Sequence, residues 1–252
     1  MQTIWITGGS SGIGFATAKK FLENNWTVII SSSNNKKLDN AKNRIKETQN
    51  IDNLHVIKCD ISDKSEVENV VSSIEKNIGE IDIALLNAAA YSPNKNQDFD
   101  IYNYELLIDV NLKGTLYCIN ALKEVMKNRS NKIAIVSSPV GYRGLPTAGA
   151  YGLTKAGLIN LAESLYFDFN KNKIKISVIN PGFIKSESTD LNSFPMPFLK
   201  TSNFAAKKIY NGLTKKYRFE IYFPIFFLLI LKTFRILPYR LYFYLIKKIT
   251  KL

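Results

Sequence analysis

Tyr151 and Lys155 stand four residues apart in the stretch AYGLTKAG, with Ser138 thirteen residues upstream of the tyrosine. On a helix, positions i and i+4 share a face, so a phenol and an ammonium can point into one cleft. The chemistry such a pair offers is proton transfer. A free tyrosine titrates at about 10, too high for an efficient acid or base at neutral pH, and a nearby ammonium lowers that value by favouring the phenolate. An isolated YxxxK pair also reads as a packed aromatic beside a solvated helix charge, so the choice rests on what surrounds it.

A second feature lies near the start of the chain, Thr7-Gly-Gly-Ser-Ser-Gly-Ile-Gly14. Glycines permit a tight turn and let backbone N–H groups approach an anion at a helix N-terminus, where the helix dipole favours negative charge. The spacing of Gly8, Gly12 and Gly14 is GxxxGxG rather than the commoner dinucleotide-binding GxGxxG.

Both features need elements to hold them. Apolar runs predict strands at Thr3–Thr7, Thr27–Ser31, His55–Cys59, Ile81–Asn87, Lys132–Ser137 and Lys175–Asn180. Amphipathic stretches predict helices at Gly12–Asn24, Lys36–Thr48, Lys64–Asn77, a long one near Tyr104–Lys127, and one at Gly149–Asn170. Strands alternating with helices in this way imply βαβ units, hence an α/β fold with a doubly wound parallel sheet. Beyond Pro181 the regularity fails. Ser188, Ser193, Pro195 and Pro197 favour loop over 186–200, with short helical turns fitting around Phe194–Leu199.

Taken together, TGGSSGIG, Asp60 after the third strand, Asn87 at the head of NAAA, Asn111 in NLKG, Ser138, YGLTK and Pro181-Gly182 fall in one order and spacing. That pattern resembles the short-chain dehydrogenase/reductase family over roughly residues 3–190. The resemblance implies a Rossmann fold and an oxidoreductase that moves hydride between NAD(P) and a carbonyl or alcohol. Tyr151 would serve as general acid/base, and Ser138 would hydrogen-bond the same substrate oxygen. Lys155 would hold the nicotinamide ribose, and Asn111 would help hold a water chain to Lys155. The cofactor residues implied are Gly8, Ser10, Ser11, Gly12, Ile13 and Gly14 in the turn, and Ser31, Ser32 and Ser33 after the second strand. Asp60, Ile61, Asn87, Ala88, Ala89, Pro181, Gly182, Ile184 and Ser186 join them, with Tyr151 and Lys155 themselves. Singly, Asn111 also reads as a satisfied helix polar residue, Ser138 as a loop cap, and Asp60 as the N-cap of the helix after it.

Two departures stand out. The family's NNAG becomes Asn87-Ala-Ala-Ala90, which loses a glycine, so the loop is expected to sit slightly differently; Ser186 replaces a customary threonine but keeps the hydroxyl. Cofactor choice turns on the end of the second strand, where an acid would bind a ribose 2′-OH. VIISSSNNKK offers three serines, Lys36, Lys37 and no acid. NADP is therefore expected in preference to NAD.

The 252 residues suit one α/β domain at 1–212 with a tail at 213–252. Cys59, Cys118 and the lone His55 show no metal spacing and no disulfide framework, which fits a cytoplasmic protein without a metal site. No secretory signal is evident at MQTIWITGG. Net charge is +13, and much of it lies in the tail, where Lys215, Lys216, Arg218, Lys232, Arg235, Arg240, Lys247, Lys248 and Lys251 face only Glu220. The tail also carries IYFPIFFLLIL at 221–231 and a second apolar-aromatic stretch at 238–246. Neither block alone reaches the ~20 apolar residues of a spanning helix. Basic residues beside Phe, Leu and Tyr predict peripheral contact with the cytoplasmic face of a membrane. The other reading has the tail cover the substrate pocket or a dimer interface, and the two are compatible. Long apolar runs argue against nucleic acid as partner. The substrate expected is an apolar or lipid-like carbonyl or alcohol, and the assembly a homodimer or homotetramer. The opposing functional class is a non-catalytic dinucleotide-binding module at a membrane surface.

Overall fold

The computed structural model describes residues 1–92, 99–192, 194–215 and 217–250; Ser193, Lys216 and Lys251, named above, lie outside them. Seven strands form one parallel sheet: β1 Thr3–Thr7, β2 Thr27–Ser32, β3 Leu54–Lys58, β4 Ile83–Leu86, β5 Lys132–Val136, β6 Lys175–Pro181 and β7 Glu220–Phe223. Their order is β3-β2-β1-β4-β5-β6-β7, the doubly wound arrangement expected. The central strands are buried along their length because helices cover both faces.

Alternation along each strand builds two cores. On one face Trp5, Ile29 and Ile133 meet α3 (Lys64–Asn77), α5 (Gly114–Met126) and α6 (Gly149–Asn170) through Val71, Leu122 and Leu158. On the other face Ile4, Ile6 and Ile30 meet α1 (Gly12–Leu22), α2 (Asn35–Lys46) and α8 (Ser202–Thr214) through Phe21, Leu38 and Ile209.

Three differences from the sequence reading matter. The long helix expected near Tyr104–Lys127 begins earlier and has three parts: α4 at Ile101–Leu107, a π-helical turn at Ile108–Lys113, and α5. The wider turn carries Asn111, consistent with the tendency of π-helical turns to occur at functional sites. Second, the region after Pro181 contains a short helix, α7 at Glu187–Asp190, and the full helix α8, which was not anticipated. Third, Glu220–Phe223 pairs with β6 as the edge strand, Val178 opposite Glu220 and Pro181 opposite Phe223. A boundary at 212/213 therefore cuts α8 and separates an edge strand from its sheet. Short strands next to longer apolar runs are hard to separate by periodicity, and IYFPIFF hides the strand. The rest of the tail folds as α9 (Ile225–Ile236) and α10 (Tyr239–Thr250). Among the described residues no helix is long and apolar enough to cross a membrane.

Candidate active site

The glycine turn joins β1 to α1 at the C-terminal edge of the sheet. Gly8 has φ +64°, and a Cβ there would lie 2.7 Å from the Ala88 Cα. A Cβ on Gly14 would lie 2.4 Å from the Gly8 carbonyl oxygen. Gly9, which motif spacing does not single out, is equally constrained, its Cβ falling 2.6 Å from Ile30. Asn87 ties this turn to the next strand by donating from its amide to the carbonyls of Thr7 and Gly8, each at 3.1 Å. The Thr7 hydroxyl accepts from the backbone of Asn87 at 3.0 Å and of Ala88 at 3.1 Å. Ser11, at the N-cap of α1, makes no side-chain capping bond, and the first turn holds no acid. The pinched backbone and an N-terminus without its own side-chain cap fit a pyrophosphate. Ser10 and Ala89 lie in the same loops and Gly12 and Ile13 open α1; Gly12 has φ +55°, and a Cβ there would lie 3.5 Å from the Ser186 Cβ.

Helix α6 carries the second half of the site. Lys155 is 2% exposed and donates to the Val136 carbonyl at 2.9 Å, while its ammonium lies 5.4 Å from the centre of the Tyr151 ring. Ser138 starts a 3-10 turn at Pro139–Gly141, its hydroxyl accepting from the Val140 N–H at 3.4 Å, and it lies near enough to the Tyr151 phenol to favour its ionised form. Ser137 donates to the Lys155 carbonyl at 2.7 Å, and a Cβ on Gly141 would lie 2.6 Å from the Lys155 carbonyl carbon. The serine turn is thus pressed onto α6 at Lys155.

Asn111 is buried and occupied at both ends of its amide. It accepts from the Ala90 N–H at 2.7 Å and donates to the Ala90 carbonyl at 3.0 Å and to Thr154 at 3.2 Å. It clamps the NAAA loop to α6, and its carbonyl accepts from Thr115 at 2.7 Å. Ala90, in place of the customary glycine, has no left-handed backbone and so tolerates its Cβ.

Electrostatics correct one expectation. Burial pushes the Tyr151 phenol well above its ordinary value, with Ser138 pulling the other way, and lowers Lys155 to about 8. Desolvation opposes charge on both groups and is the largest influence on each.

Other expected residues divide. Ser32 and Ser33 are accessible, but Ser31 is fully buried and its hydroxyl accepts from the Trp5 indole at 3.1 Å, so it cannot reach a phosphate. Lys37 pairs with Glu187 at 2.8 Å across the mouth of that loop. Asp60 is not the N-cap of α3; Asp63 is, accepting from Ser65 and Glu66, while Asp60 accepts from Ser62 in a local turn. Ile61 is buried against Gly114, and Ile184 is buried with its carbonyl accepting from Thr189. Ser186 caps α7 in a capping box with Thr189.

Around these residues lie others that no motif marked. Tyr91 packs edge-on against Tyr151, ring centres 4.8 Å apart, and donates its hydroxyl to Asn192. Phe227 of α9 packs on Phe183 and Phe198 at 5.7 and 5.8 Å, and Pro224 and Phe227 crowd Gly182. The start of α9 therefore packs on the Pro181-Gly182 loop.

This doubly wound sheet, with a glycine turn at its switch point and a Ser-Tyr-Lys face beside it, defines a dinucleotide-type oxidoreductase site. Residues 2–193 match the family model described as short chain dehydrogenase, and the chain belongs to that family. It is 37% identical over 196 residues to the 3-oxoacyl-(acyl-carrier-protein) reductase FabG of Rickettsia bellii, covering 75% of each chain. An uncharacterized oxidoreductase of Staphylococcus epidermidis is 28% identical over 207 residues, 81% of this chain and 88% of that one. Among solved structures, ElxO with NADP bound superposes with a TM-score of 0.79 at 27% identity, covering 88% of this chain and 97% of that one.

Proposed function

We propose that the protein is an NADP-dependent reductase of apolar carbonyl compounds, able to run the reverse alcohol oxidation. The observation that carries this reading is the convergence of Ser138, Tyr151 and Lys155 on one face beside a glycine turn too tight for side chains. When bound, NADPH supplies the hydride. Gly8, Gly12, Gly14 and the start of α1 would hold its pyrophosphate, Asn87 the adjoining loop, and Ser32, Ser33, Lys36 and Lys37 its 2′-phosphate. The NADP in ElxO supports that preference, as does the absence of an acid in this loop.

Tyr151, kept protonated by burial, donates its proton to the substrate oxygen, and Ser138 holds that oxygen in line. Lys155 replaces the proton, with Asn111 fixing the loop against α6. Phe183, Phe198, Phe227 and Tyr91 form an apolar, aromatic approach, which suits a lipid-like substrate. FabG's substrate is an acyl chain by its name, which agrees with that chemistry.

The tail supports a peripheral membrane position on the cytoplasmic side. Leu228, Tyr242 and Ile246 face inward, whereas Phe226 (81% exposed), Phe243 (61%), Leu229, Ile230, Leu241 and Tyr244 face out beside Arg235, Arg240, Lys247 and Lys248. Exposed Leu116, Leu153, Tyr166 and Phe167 on α5 and α6 suit self-association into a dimer or tetramer. A panel of ketones and aldehydes of graded chain length, assayed with NADPH and NADH, tests the reading. Turnover rising with chain length and faster with NADPH supports it; no turnover of any carbonyl contradicts it.

A further inference from the structure

Three consecutive residues just beyond the serine turn are gripped by the C-terminal segment. Tyr142 donates to Glu220 at 2.6 Å, and the same carboxylate accepts from Asn180 at 2.8 Å and from Lys232 of α9. Arg143 donates to the carbonyl of Phe234 and, at 2.7 Å, to that of Leu237. The Gly144 carbonyl accepts from the Tyr242 hydroxyl of α10.

The Arg143 contact is the most specific of these. The last carbonyls of a helix lack intrahelical partners and carry the negative end of its dipole, so a guanidinium there satisfies both demands. The rings of Tyr242 and Tyr239 flank that guanidinium at 3.9 and 4.9 Å, which adds cation–π attraction. On its other side, the turn at Pro139–Gly141 touches the catalytic helix through Ser137 and Gly141. The segment that carries Ser138 is therefore fixed at one end by the core and at the other by the tail.

We propose that Arg143 is a positioning residue: by capping the end of α9 it fixes the turn that presents Ser138 to Tyr151, which makes α9 and α10 a working part of the active site. The catalytic consequence rests on the reductase reading, but the hold on the turn does not. It follows that loosening Arg143 moves Ser138 while leaving the glycine turn and β1–α1 in place.

The test uses full-length wild type, Arg143→Ala, Arg143→Lys and Tyr242→Phe, the last removing one bond to the turn without removing a charge. Amide hydrogen exchange over 137–144 should quicken by about tenfold in Arg143→Ala, the equivalent of one lost hydrogen bond, and should not change over residues 3–22. NADPH affinity should stay within about twofold while kcat falls roughly 10- to 100-fold, the scale of a misplaced reacting-group partner. The apparent pKa for alcohol oxidation should rise, because Ser138 lowers that of Tyr151. Arg143→Lys and Tyr242→Phe should show smaller changes in the same direction. Unchanged exchange over 137–144 in Arg143→Ala overturns the proposal, as does loss of NADPH binding together with kcat, which indicates general damage. A wild type that reduces no carbonyl refutes the reductase reading alone, since quickened exchange would still report Arg143's hold on the turn.

Discussion

The Lys155 ammonium donates to the Val136 carbonyl at 2.9 Å while lying 5.4 Å from the centre of the Tyr151 ring. A strand end thus holds the lysine beneath the tyrosine, within reach of the cleft yet shielded from water. Burial drives their proton affinities in opposite directions, the phenol toward keeping its proton and the ammonium toward releasing it. That polarity suits an acid that donates and a lysine that resupplies.

It also sets a pH dependence. Lys155 falls to about 8 from 10.5, so it is charged below pH 8 and neutral above. Reduction, which draws a proton from this pair, should lose kcat/KM as pH rises through about 8, since that parameter reports the groups of the free enzyme. A pH–rate profile checks it; a plateau extending to about pH 10, where exposed lysines titrate, would contradict a buried lysine in the relay.

The glycine turn makes a prediction about stability. In Gly14→Ala the new methyl meets the Gly8 carbonyl at 2.4 Å, backbone that cannot swing away. Overpacking of this kind costs about 1–3 kcal/mol, and NADPH binding should weaken with it. Gly152→Ala is the contrast, because its methyl meets only Val140 at 3.8 Å and alanine favours a helix by roughly 1 kcal/mol. Thermal unfolding should show a lower Tm for the first and an equal or higher Tm for the second.

On the proposed reading, Ser32 and Ser33 govern the nucleotide preference. Ser32→Asp should reverse it toward NADH, a carboxylate repelling the 2′-phosphate and accepting from a 2′-OH instead. Paired titrations measure both dissociation constants. NADH binding more tightly than NADPH in the parent protein would remove the basis of the prediction.

The outer face of α9 and α10 should bind anionic vesicles. Each basic residue near such a surface adds roughly 1 kcal/mol, falling with salt, whereas Phe226 and Phe243 contribute apolar burial that persists. Co-sedimentation should therefore weaken but not vanish at high salt, and Phe226→Ser with Phe243→Ser should reduce it further. No sedimentation at low salt would assign the tail to covering the pocket alone.

The pattern of buried strands and the Tyr151–Lys155 spacing were legible in the sequence because both follow local periodicity: strands covered on both faces read as apolar runs, and i,i+4 positions share a helix face. The legible part ended where function depends on distant partners. Ser31 looked like a phosphate ligand until its hydroxyl was found on Trp5, a partner 26 residues away. The partners that the Asn111 amide holds, Ala90 and Thr154, lie 21 and 43 residues away and were likewise not legible. Glu220, the lone acid of the tail, is the anchor of Tyr142, Asn180 and Lys232, and β7 lay hidden in a run of aromatics. An acid isolated among basic and apolar residues was the available signal for that anchor.

The most direct test compares carbonyl-dependent NADPH oxidation by wild type and Tyr151→Phe, with NADPH affinity measured on both. Removing the hydroxyl proposed to donate the proton should lower kcat by about 10²–10⁴-fold and leave NADPH affinity nearly unchanged, because the ring and Lys155 remain. Equal kcat in the two proteins on an accepted carbonyl would contradict the assignment of Tyr151 as the acid.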